Sequence, residues 1–439
     1  MQTLIKMIRV KFKELSMILL FLSFLPAGIA QKQTKVWDLK ACIEYAKKNN
    51  IQINTLRLTA SSDKQDLSLS KNARYPGLNA SVSQNVSYNN SDFQNSTNYG
   101  VNSSVVLFKG NYYNNDIKAS KLSLEAANLD VTSAENDITL QITQAYLNIL
   151  LAGENIEYVK DLVTTSESQV EQCKEKLKSG TVALKDLMQL ESTFATDKYT
   201  LVAAENTRRQ NILSLKTLLQ LPADSSFEIT APENANTEIS IASLDSVRKV
   251  ALQIMPQVKS SDILVNKQSV EVAMAKAGYF PTLSMDGSLS MSAMSNQYNS
   301  YFIQESNQIT PQIGLTLSIP IYNKKANSIA VAKSKISLEQ AKLSSENVKT
   351  NLMQTIEQAY INVKNAQSQF NAAKEQLDYA KESYRISSEE LKIGSNNNVE
   401  YLQQKNLYVQ ALQQYVQAKY SMLLYIKIYN FYKGTPVTA

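Results

Sequence analysis

Histidine is absent from all 439 residues of this chain. That removes at once the commonest general base and the commonest metal ligand. Glycine and proline are scarce, 11 and 9 residues, so turn-formers are few for the length. Ala, Leu, Lys, Glu, Gln and Ser dominate instead, a composition that favours long helices over several compact domains. The two cysteines, Cys42 and Cys173, stand at unrelated helical positions. Nothing in their spacing pairs them, and they read as ordinary packed thiols, with a disulfide left open. No nucleotide loop, cofactor motif, paired acidic cluster or nucleophile motif stands out. The expectation is a protein that is not an enzyme and has no catalytic site, no cofactor and no metal.

Long apolar runs are missing too. Met17 to Leu25 is short, and it sits behind Lys6, Arg9, Lys11 and Lys13 and ahead of Ala27-Gly28-Ile29-Ala30. That is the pattern of a signal peptide, with cleavage expected before Gln31. No Cys follows the apolar run, which argues against a lipoprotein. Removing the leader takes away four basic residues and one acidic, so the net charge falls from +6 to +3. That is too little to suggest nucleic acid as a partner. No other segment has eighteen apolar residues in a row, so a membrane-embedded part would have to be a β-barrel.

What is present is a duplication. Gln144-Ala145-Tyr146-Leu147-Asn148 returns 214 residues later as Gln358-Ala359-Tyr360-Ile361-Asn362. The same offset pairs Ser120–Glu125 with Ser334–Glu339, Gly180 with Gly394 and Pro222 with Pro436. Upstream the offset is 205, pairing Leu39 with Leu244 and Tyr75-Pro76 with Phe280-Pro281. The copies thus differ by nine residues between Pro76 and Val106 or their counterparts. A repeat this long duplicates a whole architecture rather than a solenoid unit.

Each half begins with helical spacing, Asp38 as N-cap and then Leu39, Cys42, Ile43 and Ala46, followed by a stretch from Ile51 to Arg74. The second half repeats this from Leu244 to Ala277. After each proline the period becomes 2. Leu78, Ala80, Val82, Val86 and Tyr88 alternate with Asn and Ser, and Leu283, Met285, Leu289 and Met291 with Ser and Asp. The return runs are Tyr99 to Leu107 and Ile313 to Ile319. Each spans roughly the 10 residues that a tilted strand needs to cross a bilayer. One face is apolar and the other polar, which fits lipid against water and also fits a half-buried soluble hairpin. The leader, and the lack of a helix whose apolar face would cover a sheet, favour the barrel. Small barrels take about eight strands, so several chains must share one. Asn89 to Asn98 and Ser292 to Gln308 read as polar rim loops.

Long helices follow. The stretch from Asn115 to about Ser179 has no proline and only Gly153, and Asn327 to Ile393 has neither residue. Small and apolar positions recur at alternating threes and fours, as in coiled coils. Gly180 and Gly394 end them as left-handed C′ residues, and antiparallel helices return. The expected division is a signal peptide over 1–30, repeat 1 over 31–221, a linker over 222–243 and repeat 2 over 244–439. Strands are expected at about 78–88, 99–108, 283–292 and 312–320. Long helices are expected at about 115–179 and 327–393, and return helices at about 184–221 and 399–432. Gly110 reads as permitting the bend from strand to helix, although the second half has Lys324 there. The aromatic residues of the last helix, Tyr415 to Tyr432, read as packing.

This plan resembles the TolC-like outer-membrane factor (outer membrane efflux protein) family, the exit ducts of tripartite efflux pumps and type I secretion systems. The likeness rests on the duplicated Gln-Ala-Tyr-(Leu/Ile)-Asn and the Tyr-Pro and Phe-Pro before the strands. It rests also on two Gly-x5-acid tips, Gly180 to Asp186 and Gly394 to Glu400, and covers essentially the whole mature chain. It implies a mainly α fold with a β-barrel part, each repeat contributing a transmembrane β-hairpin and long coiled-coil helices. Three chains would make a twelve-stranded barrel continued by a twelve-helix periplasmic tunnel. The implied partners are two further copies, outer-membrane lipid, a periplasmic adaptor (membrane fusion protein) and an inner-membrane pump. The implied location is the cell outer membrane with a long periplasmic part.

The resemblance also places a gate at the helical tips. Glu400 matches the first acidic position beyond the second tip glycine, Gln403 stands where a second acid is found, Asp186 matches the first repeat's acid, and Lys185 its polar neighbour. Asn396 and Leu391 stand where an Arg and a Tyr help latch the tips, so the latch chemistry must differ here. A ring of three carboxylates concentrates cations in a narrow pore. The plainer role of Glu400 and Asp186 is as first-turn acids that stabilise helix N-termini, by under about 1 kcal/mol each. The leading functional expectation is a passive duct for small molecules, gated at these tips. Protein secretion is the alternative cargo, and a periplasmic or surface coiled-coil scaffold is the alternative of another class.

Overall fold

The computed structural model describes residues 36–89, 92–230, 241–295 and 309–436. The expected signal peptide lies outside them, as do residues 231–240 of the expected linker and 296–308 of the second rim loop. The chain divides into two compact units. The smaller pairs strand β1 (Val36–Trp37) in parallel with a second short strand, Glu228–Ile229, which is β4 in chain order. Trp37 stacks obliquely on Phe227 there, their ring centroids 5.6 Å apart.

The larger unit carries both repeats. Repeat 1 runs α1 (Leu39–Asn49), α2 (Ile51–Asn72), β2 (Gly77–Asn89), β3 (Asp92–Lys109), α3 (Tyr112–Lys178) and α4 (Leu184–Leu219). Repeat 2 runs α5 (Leu244–Ile254), α6 (Pro256–Lys276), β5 (Thr282–Ser295), β6 (Thr310–Ser318), α7 (Ala326–Ile393) and α8 (Asn398–Tyr432). At 1.5 Å per residue, α3 and α7 are each about 100 Å long.

The break between the first two helices is made twice by different chemistry. Asn50 closes α1 through its N–H on Ala46 O and opens α2 by accepting from the N–H groups of Gln52 and Ile53. Its counterpart is Met255, whose backbone angles (φ −66°, ψ 127°) nearly repeat those of Asn50 (φ −63°, ψ 129°). There Pro256 opens α6 at its first position, where a missing N–H costs nothing. The stretch from Leu244 to Ala277 is thus two helices, as the repeat of the first half predicts, with a short 3-10 turn starting at Ala277.

The four long strands form one antiparallel sheet in the order β2-β3-β5-β6. Gly77 pairs with Ser104, and Thr282 with Ser318. The 205 offset carries Gly77 to Thr282 and the 214 offset carries Ser104 to Ser318, so both hairpins share one register. The nine-residue difference falls wholly in the second hairpin's connection. Residues 90–91 of the first expected rim loop lie outside the described residues, and residues 92–98 are strand rather than rim loop. Their Ser, Asn and Thr content suggested a loop, yet Asn95 to Asn98 pair with β2 on one side and β5 on the other. Backbone pairing on two edges outweighs a weak strand propensity. The apolar residues Leu78, Val82, Val86, Ile313 and Leu315 are all exposed.

Strand turns into helix through two consecutive left-handed residues in each repeat, Gly110-Asn111 and Lys324-Lys325. The bend itself thus needs no glycine, as Lys324 shows. Gly110 answers a closer constraint, since a Cβ there would lie 2.8 Å from Phe280 Cβ and 2.9 Å from Ala277 O.

One core is built twice. In repeat 2, Val247, Ala251 and Val258 of the short helices meet Leu352, Ile356 and Val363 of α7 and Tyr429 of α8. In repeat 1 the counterparts Cys42, Ala46, Ile53, Ile138, Ile142, Ile149 and Leu215 are all buried. Cys42 thus fills the place of a valine, and burial, with Asp38 beside it, pushes its thiol up to about 12. Cys42 and Cys173 are both buried free thiols. Tyr429 and Tyr432 pack in the core and Tyr415 lies against Phe370.

Candidate functional site at the helical tips

Each hairpin of long helices turns on its glycine. Gly180 (φ 74°) and Gly394 (φ 77°) are left-handed. The following N–H groups, of Thr181 and Ser395, donate back to Lys176 O and Glu390 O at 3.0 Å each, the pattern that satisfies the last carbonyls of a helix. The return helices then start differently. Asp186 Oδ2 accepts from Ala183 N–H at 3.3 Å. Asn397 Oδ1 accepts from Glu400 N–H at 2.9 Å.

Of the residues expected at a gate, Asp186 and Asn396 line one groove of about 760 Å³ between the two tips, together with Gly394 and Leu391. Asn396 is tied down within its own hairpin. Its amide donates to Ser387 Oγ and Glu390 Oε2, both at 3.1 Å. Glu400 and Gln403 are exposed, one helical turn apart on α8, and Lys185 is exposed on α4. Gln403 shares a separate shallow groove with Gln189, Asn406 and Gln410.

The structure adds contacts that join the repeats behind the tips. Lys405 Nζ, with a side chain only 2% exposed, lies 2.5 Å from Asp197 Oδ2 of α4. The amide of Gln169 on α3 donates to Tyr401 Oη, and Tyr401 is fully buried against Tyr384. Farther along, Lys419 Nζ reaches both Glu154 oxygens at 2.8 and 2.9 Å. Burial alone would raise the Glu154 carboxyl, but hydrogen bonds from Lys419 and Tyr420, with the Lys419 charge, hold it below its ordinary value. These residues carry no local motif. Their signal lies in comparing repeats: Glu191 stands where Lys405 would repeat, and Glu205 where Lys419 would.

Comparison with known proteins agrees with this architecture. The outer membrane efflux protein family matches residues 42–220 and 247–424. The chain is 21% identical over 315 residues to the outer membrane protein TolC of Vibrio cholerae, covering 68% of each. It is 21% identical over 325 residues to the outer membrane efflux protein BepC of Brucella suis, covering 73% of this chain and 69% of that one. Among solved structures, CusC superposes with a TM-score of 0.78 at 17% identity, over 90% of this chain and 91% of that one. The Campylobacter jejuni outer membrane channel CmeC gives 0.75 at 20% identity, over 88% and 84%. At these identities the structural likeness is one of fold.

Proposed function

The chain belongs to the outer membrane efflux protein family, is an outer-membrane protein with a long periplasmic helical part, and from that premise we propose that it is the exit duct of a tripartite efflux pump. Small molecules would cross it passively, driven by an inner-membrane pump through a periplasmic adaptor. The observation that carries this reading is the four-stranded sheet whose outer strands β2 and β6, among the described residues, each pair on one side only. A free strand edge beside a lipid-facing apolar face leaves backbone groups unpaired in hydrocarbon and cannot stand there. Three copies joined β6 to β2 would close a twelve-stranded barrel, and their four long helices each would continue it as a twelve-helix tunnel.

In this assembly the tips are the gate. Glu400 and Gln403 stand free on one side of α8, placed to meet their copies across the pore, and a ring of Glu400 carboxylates would favour cations. Asp186, Asn396, Gly180 and Gly394 hold the tip turns in shape, and Lys185 flanks them.

The test is purification from outer membranes followed by planar-bilayer recording. A heat-modifiable trimer that forms a cation-selective pore is expected, with an adaptor and pump co-purifying. In the Glu400→Ala variant the selectivity should weaken. Unchanged selectivity and unchanged block by divalent cations would remove Glu400 from the lumen, and a soluble monomer would sink the duct.

A further inference from the structure

Where strands give way to helices, the seam between copies of this chain differs in charge from the junction inside it. Inside the chain β3 lies beside β5, and just beyond β3 Gly110 meets Phe280 and Ala277, which precede β5. Adding 214 to the first partner and subtracting 205 from the second carries this junction to the seam between copies. There β6 of one copy lies beside β2 of the next, with Lys324 at the place of Gly110, Lys325 at that of Asn111 and Tyr75 at that of Phe280. Arg74 stands at the place of Tyr279. Three neutral positions of the internal junction are thus cationic at the seam. Lys324 also brings a Cβ where the internal junction has no room for one, so the seam closes less tightly and leaves a groove. Arg74, Lys324 and Lys325 are all exposed in the single chain. Arg74 already shares a groove of about 340 Å³ with Lys109, Tyr112 and Tyr113, and its guanidinium donates to Asn114 Oδ1, a neutral acceptor.

Little acid balances these cations. Residues 67–91 and 310–338 contain no Asp or Glu, and Asp116, one turn into α3, is the first acid past β3. Like charges gathered without counter-charge repel, so an anion among them is favoured. The height of the groove selects the anion. It stands where the strands of the barrel give way to periplasmic helices, beside the exposed Leu78, Ile319, Ile321 and Tyr322. Phe108 pairs with Leu283, so the same offsets set Tyr322 against Leu78 of the next copy. Cations, tyrosines and apolar side chains at one membrane surface suit a phospholipid, whose phosphate and acyl chains need both kinds of neighbour. We propose that each seam between copies holds an anionic phospholipid of the periplasmic leaflet. Its headgroup sits between Arg74 of one copy and Lys324 and Lys325 of the next, and its acyl chains lie along Leu78, Ile319 and Tyr322. No single chain completes this site, which rests on the three-copy assembly proposed above.

Native mass spectrometry of the protein in neutral detergent, titrated with phosphatidylglycerol or phosphatidylcholine, tests this. Phosphatidylglycerol should bind in preference, one molecule per seam. The variant Arg74→Tyr with Lys324→Gly and Lys325→Asn installs the other repeat's own residue at each place. At about fivefold in affinity per cation beside the headgroups, it should bind phosphatidylglycerol about a hundredfold more weakly and lose the preference. A control with Lys160→Gln, Lys174→Gln and Lys178→Gln removes as many exposed charges, at least about 70 Å along α3 from the strands. It should bind as the wild type does. A wild-type trimer without the preference, or a control that loses it equally, overturns the proposal and leaves the duct standing. Soluble glycerol phosphate that displaces the lipid at matched concentration overturns it too, because the site would then be one for free phosphate. A monomeric wild type would sink the assembly and this site with it. Should the triple variant fail to trimerise, Lys325→Asn alone should weaken binding about fivefold, and an unchanged affinity there overturns the site.

Discussion

Single residues show where the two repeats are free to differ. Gly110 and Lys324 occupy one backbone position, both left-handed, but Lys324 is exposed, whereas a Cβ at Gly110 would lie 2.8 Å from Phe280 Cβ. Gly110→Ala should therefore destabilise by about 2 kcal/mol through overpacking against Phe280 and Ala277. Lys324→Gly removes a strained Cβ and should gain up to about 1 kcal/mol, less the added freedom of the unfolded chain. Thermal unfolding midpoints of the two purified variants check both signs. Equal shifts in the same direction would show that the close approach of Phe280 is not what constrains Gly110.

At the scale of elements, α2 docks on α3 as α6 docks on α7, with an ion pair bolting each. The bolts are charge-reversed. Arg57 meets Glu135 at 2.8 Å, and their counterparts Asp262 and Lys349 meet at 2.7 Å. The geometry calls for opposite charges and is indifferent to which helix carries which. Arg57→Asp alone should then cost about 1 kcal/mol, because it faces Glu135 with a like charge, and adding Glu135→Lys should recover most of that. A double-mutant cycle read by thermal unfolding gives the coupling. A coupling near zero would mean that the pair is solvated and idle.

For the whole molecule, acid is the informative perturbation. The carboxyls of Glu154 and Asp262 are held low although burial works against both, by hydrogen bonds and charge from Lys419 and Lys349. A group with a depressed folded pKa stabilises at pH above its ordinary value, and that contribution is lost as pH falls through the folded value. Stability should thus be flat from neutral down to about pH 5 and fall below about pH 4. Glu154→Gln should lower the plateau and flatten part of the acid limb. An acid limb unchanged in that variant would show that Glu154 is not among the groups responsible.

The sequence by itself determined the duplicated plan, the equivalence of the two hairpins and, to within a few residues, the ends of the long helices. Those features are local. Period 2 against period 3.6, a glycine at each tip and a proline before each strand act through neighbouring residues, and the offsets of 205 and 214 carry one hairpin's pairing onto the other. Only the tertiary structure decided which polar groups join the repeats. Lys405 and Asp197 are 208 residues apart, and Lys419 and Glu154 are 265 apart, on helices that pack on more than one side and so show no single apolar stripe to reveal the facing surface. It also decided that residues 92–98 are strand, because partners on two edges outweigh what their polar composition favours alone.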